Sequence, residues 1–422
     1  MRTVQSGASA RAEGPRCRAC GTALSQTFAD LGMSPLANSY LSPEKLSAPE
    51  IFYPLHVYVC DRCLLVQLEE FESPDTIFGD YAYFSSYSES WLEHARLYVE
   101  RMIDRFGLDA TTQVVELASN DGYLLQYFRD RGVPVLGVEP AANVAKVAIE
   151  RGVPTEVRFF GRVTARELAA RGVRPRLLLG NNVLAHVPDL NDFVGGMKEL
   201  LVPDGIITME FPHLMRLMAE NQFDTIYHEH FSYFSFLTVE QVFARHGLTL
   251  FDVEELQTHG GSLRIYARHA ENGSIRVEPH VGELRGRERA AGFDRLEHYL
   301  SFGEQVRRTK LALLDFMLTA KREGRSVVGY GAAAKGNTLL NYCGIGRDFI
   351  DYVVDRSPHK QGHFLPGTHV PICHPDRVAE TRPQIMLILA WNLKDEIMGQ
   401  MARIREWGGR FVVPIPEVAV YE

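Results

Sequence analysis

An α/β fold in three parts is predicted by three observations. Two cysteine pairs, Cys17-x-x-Cys20 and Cys60-x-x-Cys63, stand near the start of the chain. From Gln113 the pattern becomes strand, helix, strand, helix. A second series of the same kind begins at Ser326. Alternating βα units imply mainly parallel, doubly wound sheets. The expected parts are a small metal module over residues 1–75, a Rossmann-like domain over 76–272 and a second Rossmann-like domain over 273–422.

The cysteine pairs carry the first part. Each C-x-x-C puts two thiolates on one tight knuckle, and two knuckles supply the four soft ligands of a structural zinc. The ligands are Cys17, Cys20, Cys60 and Cys63; the 39 residues between the knuckles make a ribbon with a long insert. Redox pairs of the thioredoxin kind come singly beside a βαβ pattern, which neither pair has. Residues Ile51–Cys60 alternate and read as a strand entering the second knuckle, and Leu64–Leu68 as its return.

In the second part, Val114–Leu117, Val135–Glu139, Leu177–Gly180 and Gly205–Phe211 read as strands. Helices fall at Ser90–Phe106, Tyr123–Arg131, Ala141–Arg151 and Leu190–Leu201. A polar stretch, Ala270–Gly282, suits a linker. One long charged helix is expected from about Arg287 to Arg322. The third part has strands at Ser326–Tyr330, Phe349–Asp355, Ile385–Ala390 and Arg410–Ile415.

Composition narrows the function classes. The 422-residue chain is 45% hydrophobic and 23% charged, which is ordinary for a globular protein. No apolar run reaches the roughly 18 residues of a membrane span. Met1–Pro15 lacks an apolar core and reads as a disordered lead-in, not a signal peptide. A net charge of −8 argues against a nucleic-acid partner. Zinc thiolates and the spare thiols Cys343 and Cys373 suit a reducing cytoplasm. No obligate protein partner is evident.

Two loops read as nucleotide sites. Glu116-Leu-Ala-Ser-Asn-Asp-Gly122 follows the first strand, and Glu139 closes the next. Gly122 permits close backbone approach, and Glu139 can accept from ribose hydroxyls. The loop lacks the G-x-G-x-x-G that cradles a pyrophosphate, so it fits S-adenosylmethionine, with Glu116, Asn120 and Asp121 as polar partners. Asn181, at the end of a later strand, joins that set. In the third part, Gly329-Tyr-Gly-Ala-Ala-Ala-Lys-Gly336 follows a strand and opens a helix. Its amides and Lys335 suit a diphosphate, with Gly329, Gly331 and Asn337 beside it.

Between these loops stands Tyr227-His-Glu-His230, the densest ionisable run, with His186 beyond the Leu177–Gly180 strand and an aromatic stretch from Tyr81 to Tyr87. A cofactor site, a diphosphate site and clustered imidazoles together indicate methyl transfer to a nucleotide-linked substrate.

These motifs together resemble the sugar C-methyltransferases of deoxysugar biosynthesis, which methylate C3 of a dTDP-linked 4-keto-deoxyhexose. The resemblance spans almost the whole chain. It implies that the middle domain is an adenosylmethionine-dependent methyltransferase domain and that the substrate is a nucleotide sugar. It further implies His230 as general base, with Glu229, Tyr227, His186 and Tyr81 around the sugar, and Tyr83 and His228 among the substrate contacts. Imidazole titrates near neutrality, so His230 and His228 both qualify as base; on a strand they would face the same side. The competing readings are an O- or N-methyltransferase and a nucleotide-sugar-binding protein without turnover. An oxidoreductase is disfavoured by the missing glycine fingerprint.

Overall fold

The computed structural model describes residues 14–73 and 84–422. Three expectations fall outside them: the lead-in over 1–13, Tyr81 and Tyr83.

The first part contributes β1 (Gln26–Ser34), β2 (Tyr53–Val59) and β3 (Val66–Leu68). The alternation read in the sequence is what forms β2, since Leu55, Val57 and Val59 point inward and are buried. The central part contributes β4 (Gln113–Leu117), β5 (Val135–Val138), β6 (Thr155–Glu156), β7 (Pro175–Asn181), β8 (Ile206–Pro212), β9 (Ser232–Tyr233), β10 (Leu248–Leu256) and β11 (Ser262–His269). The last part adds β12 (Val327–Tyr330), β13 (Val353–Val354), β14 (Ile372–Cys373), β15 (Ile385–Ile388), β16 (Arg410–Val413) and β17 (Ala419–Tyr421).

These strands form three sheets. The central one has the order β10-β11-β8-β7-β4-β5-β6. Strands β4 to β8 run parallel, and the β10–β11 hairpin adds two antiparallel strands beside β8. The parallel strands are apolar on both faces because helices cover both. The chain order reverses between β4 and β7, so a crevice opens at their carboxyl ends. The C-terminal sheet, β14-β13-β12-β15-β16-β17, is parallel apart from β17.

The N-terminal sheet has the order β1-β2-β3-β9. Its fourth strand comes from the middle of the chain: Val66 pairs with Tyr233 and Gln67 with Ser232. The cysteine module is therefore built into the molecule and does not stand in front of it.

The single helix expected over Arg287–Arg322 is three helices, Pro279–Ala291, Leu296–Leu300 and Phe302–Arg322. Gly292 ends the first in the left-handed conformation, with φ of 97°. The first helix also begins inside the stretch read as a linker. It packs on β10, burying Val281 and Leu284 in the central core. Buried Glu288 accepts from His213 at 2.6 Å and from the amides of Phe236 and Leu237, which open the helix Phe236–Arg245. Among the described residues no helix is long and apolar enough to cross a membrane.

Candidate active site and metal centre

The four cysteine sulfurs lie within 4.8 Å of one another. Cys17 and Cys63 are 3.5 Å apart, as are Cys20 and Cys60, so none is disulfide-bonded. Each knuckle closes on itself: Gly21 donates to the Cys17 carbonyl and Leu64 to that of Cys60. Both turns need left-handed backbone, which Gly21 supplies freely and Leu64 adopts at φ of 60°. Four convergent thiols fit a tetrahedral zinc, and Gln67 Nε2 donates to Cys17 Sγ at 3.2 Å beside them.

The residues expected to contact the cofactor lie at or just beyond the carboxyl ends of β4, β5 and β7. Glu116 is buried at the end of β4, and neither carboxylate oxygen has a hydrogen-bond partner. Burial, then the nearby Glu139 and Asp121 carboxylates, hold its pKa well above the usual range. Both polar atoms of the Asn181 side chain are likewise buried without a partner. Such orphaned groups at a switch-point crevice fit the polar adenosylmethionine end groups. Glu139 is also buried, and accepts from the amides of Asn120 and Ala141 at 2.9 Å.

Only one Asp121 oxygen is taken up by the protein; its Oδ1 is buried without a partner, like the Glu116 oxygens. Asp121 is held by Ser86 and by Arg151 at 3.1 Å, which ties the 85–87 segment to this loop. A Cβ on Gly122 would meet Val153 at 3.0 Å and Ala148 at 3.2 Å. That glycine therefore packs closely on Val153 and Ala148, at a φ of 76°.

The Tyr227–His230 run is a turn, closed by the His230 amide on the Tyr227 carbonyl at 2.9 Å. It is not a strand, and the two histidines diverge. His228 reaches the Pro54 carbonyl at 3.2 Å and packs edge-on to Tyr53 and Phe71 of the N-terminal part. His230 faces the cleft. Its ring centroid is 4.7 Å from His186 and 4.1 Å from Tyr227. Its Nδ1 donates to the Thr225 carbonyl at 2.9 Å, which leaves Nε2 with a lone pair. Burial and the neighbouring His186 hold its pKa well below the ordinary value, so the ring is neutral at pH 7. Burial lowers His186 to about 4. Glu229 is buried between parts of the chain, accepts from Asn38 Nδ2 at 2.6 Å, and is pushed up to about 7.

The C-terminal glycine loop is more occupied than its sequence indicated. Asp355 accepts from the Ala332 amide, while Tyr40 and Lys360 donate to the Ala332 carbonyl. A Cβ on Gly329 would strike Val353 at 2.7 Å, and one on Gly331 would meet Ala390 at 3.1 Å. Both glycines thus serve packing. Asn337 is buried and donates to the Ala37 carbonyl at 2.5 Å, so it braces the N-terminal part and is not free for a diphosphate. Lys335 turns toward Trp391. Its ammonium lies 2.5 Å from Asn392 Oδ1 and 4.4 Å over the Trp391 ring, and it feels the buried Asp224 carboxylate. Asp224 in turn accepts from Trp391 Nε1 at 2.7 Å.

Sequence reading missed Asn38, Trp91, Asp224, His259 and Trp391. Trp91 stacks on His94 at 4.8 Å and lies 5.1 Å from His259. The paired glycines after His259 were the one local signal available. The others look like ordinary loop or core residues until the chain brings them together.

Comparison with known proteins shows the family. The chain is 39% identical over 404 residues to the C-methyltransferase NovU of Streptomyces niveus, covering 96% of each. The chain belongs to the C-methyltransferases. The family models match in three blocks: the zinc binding domain over residues 17–78, the methyltransferase domain over 91–253 and the C-methyltransferase C-terminal domain over 257–416. Solved structures that resemble the chain include two that each cover less than half of it. The PH0226 protein of Pyrococcus horikoshii OT3 is 16% identical at a TM-score of 0.38, over 47% of this chain and 99% of its own. Magnesium protoporphyrin IX methyltransferase of Synechocystis PCC 6803, with bound SAM, is 13% identical at 0.33, over 46% and 88%. This C-methyltransferase is an enzyme that uses S-adenosylmethionine and carries zinc on its cysteine cluster.

Proposed function

We propose that this C-methyltransferase methylates C3 of a nucleotide-linked 4-keto-deoxysugar, with dTDP as the nucleotide. The observation that carries the reading is the cleft-facing pair His230 and Tyr227, beside a crevice that fits adenosylmethionine. A C4 ketone acidifies the C3–H bond, because the electron pair left behind delocalises onto oxygen. His230 Nε2 takes that proton, its other nitrogen being fixed on Thr225. The Tyr227 hydroxyl donates to the enolate oxygen, as oxyanion-hole donors do. Adenosylmethionine, held by Glu116, Asn181 and Glu139, supplies the electrophilic methyl group. Residues 76–272 take the cofactor and 273–422 the nucleotide, with Lys335 on the diphosphate.

The test is mass spectrometry after incubation with adenosylmethionine and a panel of dTDP-4-keto sugars. The expected product gains one methyl on carbon and loses a deuteron pre-installed at C3. Methylation on oxygen or nitrogen, or no product with any sugar, overturns the reading.

The pH profile separates the two candidate bases. His230 has a folded pKa well below 6.5, so it stays unprotonated as pH falls from about 8 through about 6. Initial rates at saturating substrate should then show no acid limb in that range. If Glu229 were the base, its protonation at about 7 would halve kcat there, with a tenfold loss per unit below.

A further inference from the structure

The turn between β10 and β11 has a geometry that packing alone does not demand. His259 sits in it with φ of 55° and ψ of 25°, a left-handed conformation uncommon for a side chain of its size. Gly260 and Gly261 follow at φ of 87° and 113°. A Cβ on Gly260 would strike Trp391 at 2.7 Å, so the turn is wedged against the C-terminal domain. Thr258 anchors it by donating to buried Glu210 at 3.0 Å.

Opposite stands Asn182, the residue after β7, also left-handed at φ of 54°. Its Nδ2 donates to His259 Nε2 at 3.0 Å. Two left-handed residues from different strand ends thus meet in one side-chain hydrogen bond. Non-glycine residues held in this region cluster at functional sites. The His259 ring does not fill the core: it stays exposed, although protein surrounds it on several sides. It stands in the cleft between two domains. From one side the charge of Lys335 bears on it; from the other it bears on His230.

Because Nε2 accepts from Asn182, the proton of the neutral ring is on Nδ1. Surrounding protein, then the charge of Lys335, keeps the ring neutral by lowering its pKa to about 4. Trp391 links the two: the Lys335 ammonium lies 4.4 Å over its ring and the His259 turn abuts it at Gly260, so a neutral N–H donor and an ammonium stand about one indole and can share an anion. The neighbouring Glu210 carboxylate pulls the other way on His259, but less than the surrounding protein and Lys335 do, and Arg264 pairs with it at 2.9 Å.

We propose that His259 is a substrate-binding residue: its Nδ1–H and the Lys335 ammonium together hold the sugar-linked phosphate of the nucleotide sugar. The assignment rests on the nucleotide-sugar reading above. It gives a reason for the turn to lie between the diphosphate cation and the base, because the phosphate and C3 belong to the same small sugar.

The test uses the full-length, zinc-loaded enzyme and two substitutions that tolerate left-handed backbone. His259→Gly removes the donor without adding strain, and His259→Asn restores a shorter donor. Calorimetry with dTDP should show roughly 10- to 100-fold weaker binding for His259→Gly, the scale for losing a hydrogen bond to a charged group. Adenosylmethionine binding should be unchanged, and His259→Asn should recover part of the loss. Wild-type affinity for dTDP in His259→Gly overturns the assignment, as does an equal loss of adenosylmethionine binding, which would mark a structural role. If the wild-type enzyme binds no dTDP and methylates no dTDP sugar, the nucleotide-sugar reading falls and this one with it. Wild-type binding and turnover with an indifferent His259→Gly removes His259 alone.

Discussion

Replacing His230 by alanine should lower kcat by roughly 10²–10⁴-fold, the usual contribution of a positioned general base. Both ligands should still bind, because the His230 ring contacts Thr225, His186 and Tyr227, not either nucleotide loop. The variant should also stop exchanging the C3 proton with solvent deuterium when no methyl donor is present. That second readout isolates proton abstraction from methyl transfer. Geometry favours His230 over its two neighbours. His228 spends one nitrogen on Pro54 and faces the N-terminal part. Glu229 has a pKa suited to the task, but its carboxylate is held by Asn38. Full exchange with near-normal turnover in His230→Ala would transfer the role to Glu229.

Loss of the metal should be equally severe. Purified protein should hold about one zinc per chain, and the double variant Cys60→Ser/Cys63→Ser should lose it together with activity. Structural zinc in small domains contributes on the order of 10–16 kcal/mol of folding free energy. Sequence reading alone confines that damage to the N-terminal module. The structure extends it. The second knuckle leads directly into β3, which pairs with β9, and β9 begins two residues after His230. The Leu68 amide also donates to the Phe231 carbonyl at 3.0 Å. Metal content by elemental analysis, and kcat measured on the same sample, check this. A zinc-free variant with near-normal turnover would refute it.

The parts of this molecule that sequence shows best are those governed by short-range rules. The cysteine knuckles, the β4 loop and the strand–helix rhythm follow from local spacing, and each stands where spacing puts it. Where three-dimensional packing decides, local reading fails. Gly122, Gly329 and Gly331 look like ligand-facing glycines, yet Val153, Val353 and Ala390 occupy the space beside them. Asn337 looks like part of a helix mouth, but Ala37, 300 residues earlier, takes its amide. Sequence alone does not separate the tetrad's two histidines, which on a strand would face one side; a turn divides them between two environments. The helix over 287–322 was read as continuous because charged periodicity hides a left-handed break at Gly292.

The partner of the Glu229 carboxylate has a consequence for recombination between relatives. Asn38 lies in the first family block and Glu229 in the second, while Ala37 binds Asn337 in the third. Cutting the chain at the block borders therefore severs contacts that no border reveals. A chimaera that imports residues 17–73 from a distant C-methyltransferase would inherit a foreign strand register against β9 and a foreign neighbour for Glu229. Swaps that move the 36–40 loop and the 224–235 segment as one cassette should keep a working catalytic turn, whereas swaps along the block borders should fold poorly or turn over slowly. Lineages of such enzymes would then diversify by substitution within the joined segments more readily than by exchange of whole blocks.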